Sequence, residues 1–463
     1  MVCAFRRYGG RASIVVVLVA AGIGQAGAVA AQDFAPDRLI ARLSERPPEE
    51  PDFASRILDA VVAHPQVQTA MSQSAQVGLD RRIERAARLP ELDAELSGAA
   101  VIVREFEDDF DNIVERSRPN EQANLSVIGR QQLFDFGAAS KRTRGAAHRH
   151  DQSRAEARGV ATEIALAGAQ AYLDVLRHSV LAELAQVNIR RHDQILTQIR
   201  DRQASGAGVL GDVARAEARR ADAQARAAGI ARDRALAASQ FEELFGDRPG
   251  GLYRPSALFD ETFELDQLLE VGLAKSGEIA AARARERASR SEYEAEKASR
   301  YPNVALELRG TKFDLEEANE EFEITGRLVV NYSLYQGGAL AAQQSQSFQR
   351  LRQSQFAEEA ARRQVRRTIA QAYDRLRAAE ATVPVLRSAA LANARSRDAY
   401  AERYAVTGGA LFDLLQVERD YFESAQAYVN AVFEEDLARY AVAARTGELL
   451  EALGIFLFTD RNS

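Results

Sequence analysis

The sequence contains one Cys, at position 3, and no Trp. A disulfide framework and a Cys-rich metal site are therefore excluded. Its five His are His64, His148, His150, His178 and His192. His148 and His150, the closest pair, are two residues apart and fall on different faces of any helix, so no metal site is expected. Neither sign of charge dominates: 60 Lys and Arg stand against 67 Asp and Glu, a formal charge of -7. That balance argues against a nucleic-acid partner. With 29 Gly and 11 Pro in 463 residues, the chain is neither collagen-like nor low-complexity. No apolar run reaches the roughly 20 residues that a membrane helix needs. Gly206-Ala207-Gly208-Val209-Leu210-Gly211 matches G-x-G-x-x-G literally. A dinucleotide site requires a strand before that motif, and here a long helical pattern precedes it. No Ser/His/Asp set converges in the sequence, so no enzyme activity and no cofactor are expected.

What is present begins with an address. Arg6, Arg7 and Arg11 flank a short apolar run at 13–21, and Ala28-Val29-Ala30 suits a signal peptidase. Residues 1–31 read as a secretory signal, which carries away Cys3 and leaves no Cys for a lipid anchor.

The rest reads as a duplicated half. Ala169-Gln170-Ala171-Tyr172 recurs 201 residues on as Ala370-Gln371-Ala372-Tyr373. Asp212 and Glu217 recur as Asp413 and Glu418 at the same offset. Upstream the offset is 212: Val67 with Ile279, Pro90 with Pro302, Glu95 with Glu307. The change of offset falls between Gly98 and Leu133, where the first copy carries a longer loop. The expected units are 32–252 and 253–455, with a tail at 456–463. In each, a helical pattern (57–89 and 265–300) leads to a strand pair. Proline-free helix patterning then runs over about 138–204, and its counterpart over about 339–406, interrupted by Pro384. Gly206-Ala207-Gly208 and Gly408-Gly409 break the chain before the returning helices. Pro65 is expected to kink the first helical stretch and Pro384 the second long helix. A helix of roughly 67 residues is about 100 Å long at 1.5 Å per residue, which excludes a compact globule.

Strands are expected at about 90–103, 123–134, 302–313 and 322–335. Leu92, Ala94, Leu96 and Gly98 alternate with Asp93, Glu95 and Ser97, and Ile128 breaks the alternation in the second strand. Val304, Leu306 and Leu308 alternate with Asn303, Glu307 and Arg309. Period-2 patterning over about ten residues suits a transmembrane barrel strand, and equally a soluble two-sided sheet. The hairpin tips, 105–111 and 314–317, are acidic. Four strands cannot close a membrane barrel, and an open edge in lipid is costly. Strands that span a membrane would therefore have to be shared among several copies of the chain.

The ordered set resembles the TolC family of outer-membrane efflux and type I secretion channels. Arg88-Leu89-Pro90-Glu91-Leu92 and Arg300-Tyr301-Pro302-Asn303-Val304 are similar to that family's strand openings. Leu133-Phe134-Asp135-Phe136-Gly137 and Leu334-Tyr335-Gln336-Gly337-Gly338 are similar to its strand-to-helix turns. The resemblance implies a mainly α fold with membrane β: long antiparallel helices forming a tunnel, and four strands per chain. It implies a homotrimer sharing one 12-stranded barrel in outer-membrane lipid, with a tunnel reaching into the periplasm. It also implies a periplasmic adaptor and an inner-membrane pump of RND or ABC type as partners. Cargo would be small molecules or unfolded polypeptide. The family's tip network places its Tyr at Tyr404 and its acidic positions at Asp413, Gln416 and, on the other helix pair, Asp212. Its Arg falls on Gly409 and one of its Asp positions on Gln416, so the usual latch is incomplete, with Arg403 and Arg215 as candidate substitutes. Asp413 has two readings: an acidic aperture repeated around the channel axis, or a cap for the returning helix. The tips at Gly206, Gly208, Gly408 and Gly409 are the expected adaptor contacts. A different class remains open to the sequence: a soluble periplasmic coiled-coil adaptor or scaffold.

Overall fold

A computed structural model describes residues 43, 51–103, 105, 121–256, 258, 263–313, 315 and 322–458. The signal and most of both acidic hairpin tips lie outside the described residues.

The first half comprises α1 (Pro51–Ala63), α2 (Pro65–Ala86), β1 (Glu91–Ala100), β2 (Glu121–Phe134), α3 (Ala138–Ala204) and α4 (Leu210–Phe245). The second comprises α5 (Leu265–Lys275), α6 (Gly277–Ala298), β3 (Asn303–Lys312), β4 (Phe322–Asn331), α7 (Ala339–Thr407) and α8 (Leu411–Thr446), followed by the short α9 (Leu449–Ala452). The offsets hold at element scale. α2 and α6 are both 22 residues long and start 212 apart; α4 and α8 are both 36 residues long and start 201 apart.

Several expectations are corrected. The helical stretch at 57–89 is broken at His64, not kinked, because a residue before proline disfavours the α region. His64 adopts φ -65 and ψ 128, and its Nδ1 accepts the Gln66 N–H at 3.2 Å as an N-cap. The stretch at 265–300 is broken at Ser276, which lies 212 residues after His64 and has φ -55 and ψ 125. No proline stands there. β4 ends at Asn331, short of the expected 335. α7 continues through Pro384 as one helix.

At the start of α3, Asp135 accepts the N–H groups of Gly137 at 2.9 Å and Ala139 at 2.6 Å. Phe136 holds φ 54 there, where the second half has Gly337 at φ 58. Rings of Phe134 and Tyr301 each lie 4.8 Å from Phe136, which anchors this left-handed turn at the junction of sheet and helices.

The long helices pack through small side chains. Ala157, Ala161, Ala165 and Ala169 of α3 are fully buried, and a Cβ at Gly168 would sit 3.0 Å from Ile57. Larger residues fill the middle of the molecule: Phe53, Tyr172, Phe241, Phe422, Tyr428 and Tyr440 share one cluster. Arg254, in the segment joining the halves, grips Asp436 of α8 through two bonds of 2.6 and 2.9 Å and also reaches the Leu43 carbonyl. Both side chains are nearly buried, so losing one partner would leave a buried charge, at a cost of roughly 3–5 kcal/mol.

The four strands form one antiparallel sheet in the order β1-β2-β3-β4. Among the described residues, β1 and β4 each keep one unpaired edge.

Candidate functional site

Two regions stand out: the sheet and the opposite, helical end. In the sheet, register places Leu96 opposite Leu125, Gly129 opposite Leu308 and Leu306 opposite Leu328. Side chains of opposed residues share a face. One face is therefore apolar and open, with Leu92, Leu96, Ile324 and Leu328 each about two-thirds or more exposed. The other carries Asp93, Arg130, Glu307 and Arg327, an ion-pair ladder across all four strands at 3.8, 3.9 and 2.6 Å. Ser126 and Thr311 hydroxyls meet on that face at 3.0 Å, and Ile128 lies there, buried. The break in alternation at Ile128 is thus an apolar residue on the polar side.

At the other end, the structure brings both helical tips together. Ile195, Leu196 and Ile199 of α3, Val213 and Ala216 of α4, Tyr404 of α7, and Leu411, Leu414 and Leu415 of α8 form one apolar cluster. Gly206 (φ 80) and Gly408 (φ 69) turn the chain after α3 and α7, and the Gly408 N–H bonds the Tyr404 carbonyl. Gly208 lies tight against Gln203: an added Cβ would be 3.1 Å from its backbone nitrogen. Gly409 lies beside the Arg403 side chain.

A cation on Tyr404 is Arg202, in the last turn of α3. Its Nη2 donates to the Tyr404 carbonyl at 2.7 Å and its guanidinium lies 4.4 Å from the centre of the ring. Arg202 thereby ties the first half's tip to the second's. No motif marks it; the available signal was a lone basic residue in a helix's last turn.

Asp212 and Asp413 both occupy the first turn of their helices, half-buried, at the third position of α4 and α8. The helix N-terminus favours such acids. Asp413 is not an N-cap: Ala410 holds that place, without a side-chain bond. Gln416 donates to Asp420 at 2.8 Å along its own helix.

Above the tips runs a seam between α3, α4, α7 and α8. Arg191 pairs with Glu418 at 2.8 Å, and burial pushes the Glu418 carboxyl up despite that partner. Arg397 lies 4.2 Å over the Tyr421 ring. His192 is buried, and burial, then Arg219 and Arg226, lower its pKa to about 4. Among the described residues, no three His, Cys, Asp or Glu come together to hold a metal, and no helix is long and apolar enough to cross a membrane.

The sequence profile of the outer membrane efflux protein family matches residues 57–247 and 268–448, one stretch in each half. The chain belongs to the outer membrane efflux protein family. It is therefore an outer-membrane protein whose two halves are both units of that family. Outer membrane efflux protein BepC of Brucella suis biovar 1 (strain 1330) is 26% identical over 282 residues, 60% of this chain. The match spans 62% of the length of that relative. Solved structures of similar fold include a Pseudomonas aeruginosa membrane protein, with TM-score 0.75 and 18% identity over 87% of this chain and 98% of that one. They also include the Vibrio cholerae outer membrane protein VceC, with TM-score 0.72 and 20% identity over 87% and 96%. The Neisseria gonorrhoeae outer membrane channel MtrE, in its open state, gives TM-score 0.72 and 19% identity over 86% and 90%. In this chain Arg202 joins the tip of the first half to that of the second.

Proposed function

We propose that this chain is one subunit of a homotrimeric exit duct. Three four-stranded sheets would close a shared barrel in outer-membrane lipid, and the helices would form the periplasmic tunnel beneath it. The observation that carries this reading is the open-edged sheet. Its bare face of Leu92, Leu96, Ile324 and Leu328 suits hydrocarbon, and its charged face suits water. A sheet with two free edges cannot stay in lipid alone. The long α3 and α7, 67 and 69 residues, add a body about 100 Å deep. Nothing observed favours a scaffold, for which a bare apolar sheet would be a liability.

Cargo, small molecules or unfolded polypeptide, would be handed over by an inner-membrane pump of RND or ABC type through a periplasmic adaptor. The tips are the fitting contact: Val209, Leu210, Val406 and Phe412 lie exposed around Gly206, Gly208, Gly408 and Gly409. The duct does no chemistry on its cargo. Its gate would be the tip, formed by Tyr404, Asp212, Asp413 and Gln416, with Arg202 bridging the halves. Brought around a threefold axis, Asp413 would concentrate cations at the aperture.

Planar-bilayer recording tests this. Discrete channels with cation-preferring reversal potentials in a salt gradient are expected, and Asp413→Asn should weaken the preference. A detergent-purified protein that never conducts would remove the duct reading; an unchanged selectivity in the variant would remove the role of Asp413.

A further inference from the structure

We propose that a single monatomic anion, chloride in ordinary salt, binds between α3, α4 and α8 and staples the three helices together just above the tip. The site is a cavity of about 20 Å³. Its polar lining is Asn188 and His192 from α3, Arg219, Asp222 and Arg226 from α4, and Arg419 from α8. Spacings of three and four put each helix's contribution on one face. Leu415 also lines the cavity, and it belongs to the apolar cluster that joins the two tips. The site and the tip therefore share a wall.

Charge supplies the first argument. Three arginines line the cavity with one carboxylate, Asp222. Adding Glu423, one turn beyond Arg419 on α8, still leaves one positive charge over. The pairs are also loose: Arg219 lies 3.5 Å from Asp222, and Arg226 and Arg419 each lie 3.6 Å from Glu423. A charged N–H···O bond closes to about 2.7–2.9 Å. Nearby pairs do close: Arg191 meets Glu418 at 2.8 Å and Arg200 meets Glu217 at 2.6 Å. Asp193, the other acid beside His192, is taken by Arg220. The guanidinium groups of the cavity therefore keep donors to spare.

Buried polar atoms supply the second argument, independently. His192 is only 6% exposed, and its Nδ1 is sealed from solvent without a hydrogen-bond partner among the described residues. The buried Nε of Arg419 is in the same position. Both residues line the cavity. A buried polar group is costly to leave unpaired. Burial, with Arg219 and Arg226, keeps the imidazole neutral, so its Nδ1 is free to carry the single ring N–H and donate. One negatively charged acceptor between His192 and Arg419 answers both the spare charge and the spare donors. Size selects its kind. A water needs about 10–15 Å³ of such space, so this cavity takes one particle of water or halide size and excludes phosphate and carboxylate ligands. A water brings no charge, and its two hydrogens would face a rim made mostly of donors. A halide brings the charge and only accepts.

Melting of the detergent-solubilised full chain, compared in sodium chloride and sodium gluconate at equal ionic strength, tests this. The native chain should melt about 2 °C higher in chloride, and likewise in bromide. Arg419→Gln should remove that difference, and so should Arg219→Gln, a second variant in case the first does not fold. Arg232→Gln, on an exposed stretch of α4 away from the cavity, should keep it. Crystals grown in bromide should show an anomalous peak between His192, Arg219 and Arg419. Equal melting of the native chain in the two salts overturns the proposal. So does a chloride effect that survives in both cavity variants, which is general screening. A bromide peak without the melting difference is an adventitious ion only and also overturns it. The absence of a bromide peak at this place, or stabilisation by sulfate but not by halides, overturns the monatomic anion.

Discussion

At the scale of the residue, Arg202 and His192 are the side chains whose roles spacing arguments could not assign. Arg202 makes a charged hydrogen bond and a cation–π contact to Tyr404, each worth on the order of 1–2 kcal/mol in a half-buried place. Both contacts hold the two tips together. Arg202→Ala should therefore raise the open fraction of single channels and admit larger solutes, with the apolar cluster of Leu411 and Ile199 keeping the fold intact. His192 faces Arg219, Arg226 and Arg419, with Asp193 and Asp222 nearby. Its folded pKa of about 4 lies below the ordinary 6.5, so the unfolded chain binds the extra proton first as pH falls. The stability it contributes is full above about pH 6.5 and is lost as pH falls toward 4. Between pH 7.5 and pH 5 the loss is about 2 kcal/mol. Glu418, pushed up by burial, works in the opposite direction, so the effect must be read as a difference. Melting temperatures of detergent-solubilised protein at pH 7.5 and 5 should fall less for His192→Gln than for the native chain.

At the scale of the element, the duplication explains most of what forms, and its departures show where tertiary contacts take over. His64 and Ser276 break their helices at equivalent positions, yet only the first break has a proline. In the second half, the break sits against Gly447, whose added Cβ would lie 2.8 Å from the Lys275 carbonyl oxygen. Gly447 has φ 84, and its counterpart Gly246 has φ 76 with open space around it. Gly246→Ala should thus cost about 1 kcal/mol, for the left-handed backbone alone. Gly447→Ala should cost roughly 1–3 kcal/mol more, because the neighbouring carbonyl must move. Chemical denaturation midpoints of the two variants, compared in one detergent, check the difference. Phe136 is a similar case: a left-handed position filled by an aromatic is illegible locally, and stacking on Phe134 and Tyr301 holds it.

At the scale of the whole molecule, the chain is an unfinished object, with two strand edges and one apolar sheet face uncovered. Lipid and further copies of the chain are the coverings that fit. Leu328→Arg should cost about 2–4 kcal/mol if that face meets hydrocarbon, whereas Val329→Arg, on the watery side, should cost far less. The heat-resistant oligomer fraction on unboiled gels measures both. The sequence by itself determined the order of the long elements, the duplication, the length of the two long helices and the two faces of each strand. These follow from periodicity and offset, which are local and survive duplication. It also placed Asp212, Asp413 and Tyr404 near the tips, since residues beside a helix end stay beside it. Tertiary structure alone decided that both tips close into one cluster, that Arg202 is a cation on Tyr404, that Ser276 breaks a helix, and that Asp413 leaves the cap to Ala410. Each of these depends on which helix lies beside which. Neighbourhood across 200 residues is set by packing, which periodicity does not encode.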